Sequence, residues 1–212
     1  MTFDLTDCTL QNDEENRRGW LSSAGVGHML RFDPEPPEWP FDLTSPEVAA
    51  DFYRRQCAEN GGVMLSMSVT TVGGCEALHG LFKYRAPVPQ SLAMYYVGIL
   101  WIPFQDATFQ LNVEAMEKGR TGAREAAVML IEGDAWPKPP ADAQPIRVKS
   151  VEEMFGHMRS APVRQLPSDD EKYDRSFPEH PLSKVRARIS QVMATLSLDE
   201  SARTMRPFRV QG

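Results

Sequence analysis

Alternating side chains along residues 78–116 predict three consecutive β-strands, at Leu78–Arg85, Met94–Ile102 and Thr108–Met116. The middle segment is apolar on both of its alternating faces, one formed by Met94, Tyr96, Leu100 and Ile102 and the other by Tyr95, Val97, Ile99 and Trp101. A strand without a polar face must be covered on both sides, so this segment is predicted to lie in the interior of a sheet with Trp101 buried. The connections are too short for parallel crossovers, which predicts antiparallel neighbours.

The segments around this group add helices and further strands. His28–Phe32 and Val63–Val69 are predicted strands, and Ser45-Pro46-Glu47 begins a helix that ends at Asn60-Gly61-Gly62. A stripe of mostly small residues on a helix over 121–131 is expected to lie against the sheet: Ala123, Ala126, Ala127, Leu130 and Ile131. The last helix has one apolar face, made of Leu182, Val185, Ile189, Val192, Met193 and Leu196. The pattern predicts the α+β class: an antiparallel β-sheet flanked by helices, with a helical C-terminal appendage.

The remaining segments have a weaker pattern. Residues 1–24 are polar and predicted to be irregular, apart from a short edge strand at Phe3–Leu5. Four prolines in Asp33–Pro40 exclude helix and sheet interior, which predicts a stiff surface loop anchored by Trp39. A second proline-rich segment, Asp134–Pro140, marks the predicted boundary between a core domain (1–134) and an appendage packed on it (135–212). Within this appendage, 168–174 is predicted to be a charged linker.

Composition and charge argue against some classes of function. The chain has 212 residues, a formal net charge of −6 and a pI near 5.3. Because no basic stripe is present, binding to nucleic acid is not expected, whereas a basic protein partner would suit the acidic charge. The N-terminus has acids where a signal peptide has lysine or arginine, and the longest nearly apolar run is about half a membrane span. Three widely spaced cysteines, Cys8, Cys57 and Cys75, favour a reducing compartment, so a cytoplasmic protein is predicted.

Sequence motifs for catalysis, metals and cofactors are absent. The chain contains no Cys-x2-Cys, His-Glu-x-x-His, phosphate-loop or Gly-x-Ser-x-Gly pattern, and its four histidines are far apart in sequence. No catalytic residue, metal ligand or cofactor is therefore predicted, although a site assembled only by the fold is left open.

One group of polar residues is the candidate binding surface. If strands 78–85 and 108–116 flank the central strand, polar side chains of both strands share one neighbourhood: Lys83, Arg85, Gln110, Asn112 and Glu114. Trp39 of the proline loop is added to this candidate surface. Mixed charges and amides on a sheet suit a ligand or protein partner. The alternative is a solvated face without a function, because antiparallel sheets often leave one face wet.

The order of elements between Gly27 and Asp134 resembles the Mog1/PsbP-like fold group, in which helices flank an antiparallel sheet. The resemblance is carried by Tyr95–Ile102, Phe109–Ala115 and Thr121–Ile131, while the proline loop and the segment after Asp134 depart from it. It implies a bacterial-type binding protein, assembly factor or chaperone-like adaptor.

Two functional hypotheses follow. The first is a non-catalytic soluble binding protein, an adaptor, chaperone-like or immunity-like protein that acts through a protein partner. The second is an enzyme whose site is assembled from scattered residues around His79 and Glu114. Convergence of His79 and a carboxylate in one cleft would favour the second hypothesis. The oligomeric state is left open.

Overall fold

The structure, a computed structural model, describes residues 1–119, 121–138 and 147–210. Its strands are β1 (Cys8–Glu14), β2 (Arg17–Ser22), β3 (Gly27–Asp33), β4 (Val63–Val72), β5 (Cys75–Arg85), β6 (Met94–Pro103) and β7 (Thr108–Met116). Its α-helices are α1 (Pro46–Glu59), α2 (Ala123–Ile131), α3 (Val151–Ser160), α4 (Pro181–Thr195) and α5 (Glu200–Arg203). The strands form one antiparallel sheet of seven, in the order β1-β2-β3-β7-β6-β5-β4, which confirms the predicted α+β class.

Strand β6 lies in the interior of this sheet and contributes to two separate cores, as its doubly apolar pattern predicts. Tyr96, Leu100 and Ile102 pack with helix α4 on one side, which we call the α4 face. Val97 and Trp101 pack with Tyr53 and Cys57 of helix α1 on the other side, the α1 face. Trp101 is 6% exposed, so its predicted burial is confirmed.

Helix α4 uses the apolar face that its sequence predicts. Leu182, Val185, Ile189 and Val192 are buried, and Leu196 follows the helix in the same core. Gly98 of β6 permits this close packing, because a Cβ atom there would lie 3.3 Å from Val185 and 3.5 Å from Ile189. Side chains at the helix surface therefore reach the backbone of the central strand.

The prediction of an irregular N-terminus is wrong. Strands β1 and β2 form a hairpin joined through Glu15 and Asn16, and β2 pairs with β3. Most side chains of both strands are exposed or half-buried, so the segment lacks the apolar alternation that identifies a half-buried strand. Pairing with the edge of β3 stabilises a hairpin whose own sequence is polar.

The predicted buried stripe of helix α2 is also wrong. The helix begins after Gly122, which has a φ of +74°, and its buried residues are Arg124 and Val128. Leu130 and Ile131 are 87% and 73% exposed. The cause is Arg124, whose guanidinium group finds four buried or partly buried acceptors and therefore turns its side of the helix inward.

The segment 168–174, predicted to be a linker, is ordered by two short 3-10 turns at 167–169 and 171–173, and its first two residues, Ser168 and Asp169, are buried. The division of the chain at residue 134 stays a prediction, since residues 139–146 of the bridge lie outside the described residues. Across the described ranges, no helix combines the length and apolarity that crossing a membrane requires.

Candidate functional site

Helix α1 covers only part of its face of the sheet. The apolar cluster beneath it is built from β4, β5 and β6. Trp101 belongs to this cluster and pairs with Gln110, so the even-numbered residues of β7 continue the same face beyond the helix. There Gln110, Asn112 and Glu114 are half-buried, and Arg31 of the neighbouring β3 is exposed. We call the surface formed by Gln110, Asn112, Glu114, Met29 and Arg31 the open face.

A chain of hydrogen bonds orients the amides of the open face. Trp101 Nε1 donates to Gln110 Oε1 at 3.1 Å, and Gln110 Nε2 donates to Asn112 Oδ1 at 2.9 Å. Because these bonds fix the orientation of both amides, the Asn112 NH2 group and the second N–H of Gln110 Nε2 are left as donors for another molecule. The open face therefore presents fixed donors and not freely rotating ones.

Glu114 is held at the end of the same face. Tyr95 donates its hydroxyl hydrogen to the carboxylate, and burial together with this bond raises the pKa of Tyr95. Gly27 of β3 lies opposite, where a Cβ atom would come within 3.1 Å of the Glu114 side chain. The carboxylate thus has a defined position and a protonated neighbour, and it can accept from a cationic partner.

The proline loop Asp33–Pro40 forms the wall of the open face. Trp39 stacks on Phe41 with ring centroids 5.1 Å apart and donates its indole N–H to Tyr53 Oη at 2.8 Å. Since this N–H is occupied, Trp39 can offer only apolar surface to a ligand. The structure thus gives Trp39 the anchoring role that the sequence favours.

A groove of about 600 Å³ runs between this loop, helix α1 and the open face. Its lining is of mixed charge: Asp33, Glu35 and Glu38 from the loop, Arg31 from β3, and the amides of Gln56 and Gln110. Arg31 is bound to Asp33 at 2.6 Å, so its positive charge is partly neutralised. The net character of the groove is acidic.

Two of the predicted binding residues lie elsewhere. Lys83 pairs with Tyr96, which places Lys83 and Arg85 on the α4 face, opposite Gln110, Asn112 and Glu114. The five polar residues therefore do not share one neighbourhood. The antiparallel register places the odd-numbered residues of β5 on the same face as the odd-numbered residues of β7, whereas the polar residues of β7 are even-numbered.

Both cations are bound by other parts of the chain. Lys83 is 1% exposed and donates to both carboxylate oxygens of Asp169, at 3.0 and 2.9 Å. Arg85 donates to the carbonyl oxygens of Met158 and Ala161 at the end of α3. Both side chains join the later part of the chain to the sheet.

The alternative acid–base pair is not brought together. His79 lies on the α4 face with Lys83, whereas Glu114 lies on the α1 face, so the sheet separates them. Burial lowers the pKa of His79, and its Nε2 atom has no hydrogen-bond partner among the described residues. The convergence that would have favoured an enzyme built on this pair does not occur.

Sequence reasoning missed the ionic interior of the α4 face. Arg124 donates to Ser168 O, Asp174 Oδ1, Ser183 Oγ and Asp170 O, at 2.6 to 2.9 Å. These partners are 44 to 59 residues away, so no local spacing could have shown them. The available signal was Arg124 itself, a charged residue within an otherwise small and apolar helix.

The chain was compared with known proteins once these features were established. No protein family and no curated protein matches it. Among solved structures, it is similar to a mutant of the protein Mog1, with a TM-score of 0.46, 10% identity, and coverage of 94% of this chain and 90% of that one. It is also similar to a protein from Bacteroides thetaiotaomicron, with a TM-score of 0.31, 14% identity, and coverage of 68% and 48%. Neither likeness assigns a role to any residue of this chain.

Proposed function

We propose that the protein is a non-catalytic, cytoplasmic binding protein of the adaptor, chaperone-like or immunity-like kind, and that it holds a protein partner against the open face. The observation that supports this best is the ordered polar surface beyond helix α1, where Trp101, Gln110 and Asn112 form a continuous hydrogen-bonded chain. A merely solvated face does not need its amides fixed by a buried tryptophan.

The partner is proposed to be basic. Asp33, Glu35 and Glu38 face the groove, the Glu114 carboxylate ends the open face, and the whole chain has a net charge of −6. Charges of one sign around a groove attract an opposite charge and select against like-charged partners. A lysine- or arginine-rich segment laid along the open face would meet these carboxylates and the Asn112 amide.

The test is capture of partners from the native cell with two variants of matched charge. The first changes the groove, Glu35→Gln/Glu38→Gln/Asn112→Ala; the control changes exposed carboxylates on other elements, Glu152→Gln/Glu171→Gln. Each removes two negative charges, and since the four glutamates are exposed, neutralising them is expected to alter stability by roughly 0.5 kcal/mol or less. Asn112→Ala also removes the acceptor of Gln110 Nε2, which adds a loss of about 1 kcal/mol.

The proposal expects wild type and control to capture the same basic protein and the groove variant to lose at least about tenfold in affinity, the effect of about 1.4 kcal/mol. Equal capture by all three would show that the open face is only solvated.

A further inference from the structure

Three side chains of the types that bind metal ions, two glutamates and one histidine, meet on the α4 face beneath helix α2. Glu117 follows β7, Glu125 lies in α2, and His180 caps the start of α4. One ligand atom from each lies within 4.8 Å of the others. Three separate elements supply them, so no sequence motif predicts the group. None of these residues belongs to the open face.

This cluster contains buried polar atoms that lack partners. Among the described residues, neither carboxylate oxygen of Glu125 has a hydrogen-bond donor, and the hydroxyl of the fully buried Tyr96 is also unpaired. His180, with 9% of its side chain exposed, has Nε2 3.5 Å from Glu117 Oε1, beyond a normal hydrogen bond. Buried groups of this kind are costly unless another species satisfies them.

The nearby cations do not satisfy Glu125. Lys83 is bound to both oxygens of Asp169, and Arg124 is used by Ser168, Asp170, Asp174 and Ser183. Lys83 and Arg124 thus lie near the cluster, but their charged groups are bonded to other residues. Neither of them supplies a cation to the Glu125 carboxylate.

Glu117 is prepared as an anion. Its carboxylate accepts the backbone N–H groups of Met94 at 2.9 Å and Gly122 at 3.2 Å. Burial opposes ionisation, but the neighbouring His180 ring and the hydrogen bonds from these two backbone groups outweigh it and hold the pKa of Glu117 below its usual value.

The cluster can be reached from outside. A cavity of about 560 Å³ opens between α2 and the segment 176–181, and Glu117, Arg124 and His180 line it. The ring of Tyr96 lies edge-on to His180 at a centroid distance of 5.4 Å. A small ion therefore has an entry path to Glu117 and His180, two of the three ligand residues.

We propose that Glu117, Glu125 and His180 bind a divalent first-row metal ion of the Zn²⁺ type. Carboxylate oxygen and imidazole nitrogen form the ligand set that suits such ions, and three protein ligands leave one position open to water. Ligand atoms about 2.0–2.2 Å from one ion lie at most about 4.4 Å apart, so a small inward movement completes the site.

The experiment is equilibrium dialysis of the full chain, stripped of metal with a chelator, against Zn²⁺ alone. Two variants remove ligands while preserving the fold: Glu125→Gln, because that carboxylate has no hydrogen-bond donor among the described residues, and His180→Asn, because asparagine is a preferred N-cap residue. The control is Glu153→Gln/His157→Ala, which removes an exposed histidine–glutamate pair 4.0 Å apart.

Wild type and control are expected to bind one Zn²⁺ per chain and to gain thermal stability from it. Each ligand variant should lose more than the roughly 10–100-fold that removal of an outer-shell partner costs. Cobalt substitution adds a spectroscopic readout, since Cys8 lies 3.9 Å from His28 and offers a rival site. The proposal would be overturned by any of three results. These are a sulfur-to-metal charge-transfer band, which would place the metal at Cys8, unchanged binding by Glu125→Gln, and no binding by wild type.

Discussion

On the α4 face, the side chains of Lys83 and Asp169 are 2% and 1% exposed and pair inside the protein, whereas on the α1 face Gln110, Asn112 and Glu114 stay half-buried at the surface. The sequence makes these residues look alike, as polar positions on neighbouring strands. They differ in what covers them: the turns at 167–173 and helix α4 enclose the first group, while α1 ends before it reaches the second. A polar strand residue therefore becomes part of the interior or part of the surface according to its register and the element packed over it.

The largest expected effect comes from opening the ion pair of the α4 face. Asp169→Ala leaves the Lys83 ammonium buried without its carboxylate, which should lower the free energy of unfolding by about 3–5 kcal/mol. The double variant Lys83→Met/Asp169→Leu should recover most of this loss, because apolar residues of similar size replace both charges. Urea unfolding measures both, and a loss under about 1 kcal/mol for the single variant would contradict the closed interior described for this face.

On the α1 face, the corresponding change is Trp101→Ala. Trp101 stacks on Tyr53 at 4.6 Å and orients Gln110, so its loss should create a cavity and release the amide chain. We expect the free energy of unfolding to fall by about 3 kcal/mol. This is the lower end of the range for tryptophan truncation, because the side chain also borders the groove. Urea unfolding gives the value, and a loss below about 1 kcal/mol would show that β6 is not central to the fold.

A smaller effect should follow from pH on the α4 face. His28 is 2% exposed and accepts from Arg188 Nε at 2.8 Å; burial and then the Arg188 charge lower its pKa from 6.5 to about 4. As the pH falls, the unfolded chain binds the proton before the folded protein does. The contribution of neutral His28 to the free energy of unfolding is therefore fully present above pH 6.5 and is lost between pH 6.5 and pH 4.

Between pH 7 and pH 5, wild type should therefore lose about 1–2 kcal/mol more than a His28→Gln variant, by the ordinary linkage of proton binding to unfolding. The difference between the two proteins removes the contribution of other titrating groups. Equal losses, measured by denaturant unfolding at both pH values, would show that His28 is protonated in the folded protein.

The sheet from β4 to β7 could be predicted because the apolar pattern there is set by burial on both faces. The hairpin β1–β2 could not, since its side chains are polar and its stability comes from pairing with β3. That Gln110, Asn112 and Glu114 lie on one face could be predicted, because they alternate with period two along one strand. Lys83 and Arg85 were joined to them in error, because the register between strands and the cover over each face depend on residues far away in the sequence.

The same reason explains why the polar interior was missed. Asp169 lies in a charged run that has the composition of a linker, and Arg124 lies in a helix whose small residues suggested packing on that side. Each is buried only because the other part of the chain supplies its partner. The helix α4, by contrast, was predicted correctly because its apolar face is complete within the helix itself.

The most direct test of the contrast between the faces is site-specific photo-crosslinking in the native cell. The crosslinking residue replaces Asn112 on the open face, Glu35 on the proline loop or, as a control, the exposed Glu171 on the opposite side. The account predicts that positions 112 and 35 trap one and the same basic protein and that position 171 does not. Trapping of that protein at 171 alone, or trapping at all three positions alike, would contradict the open face as the binding surface.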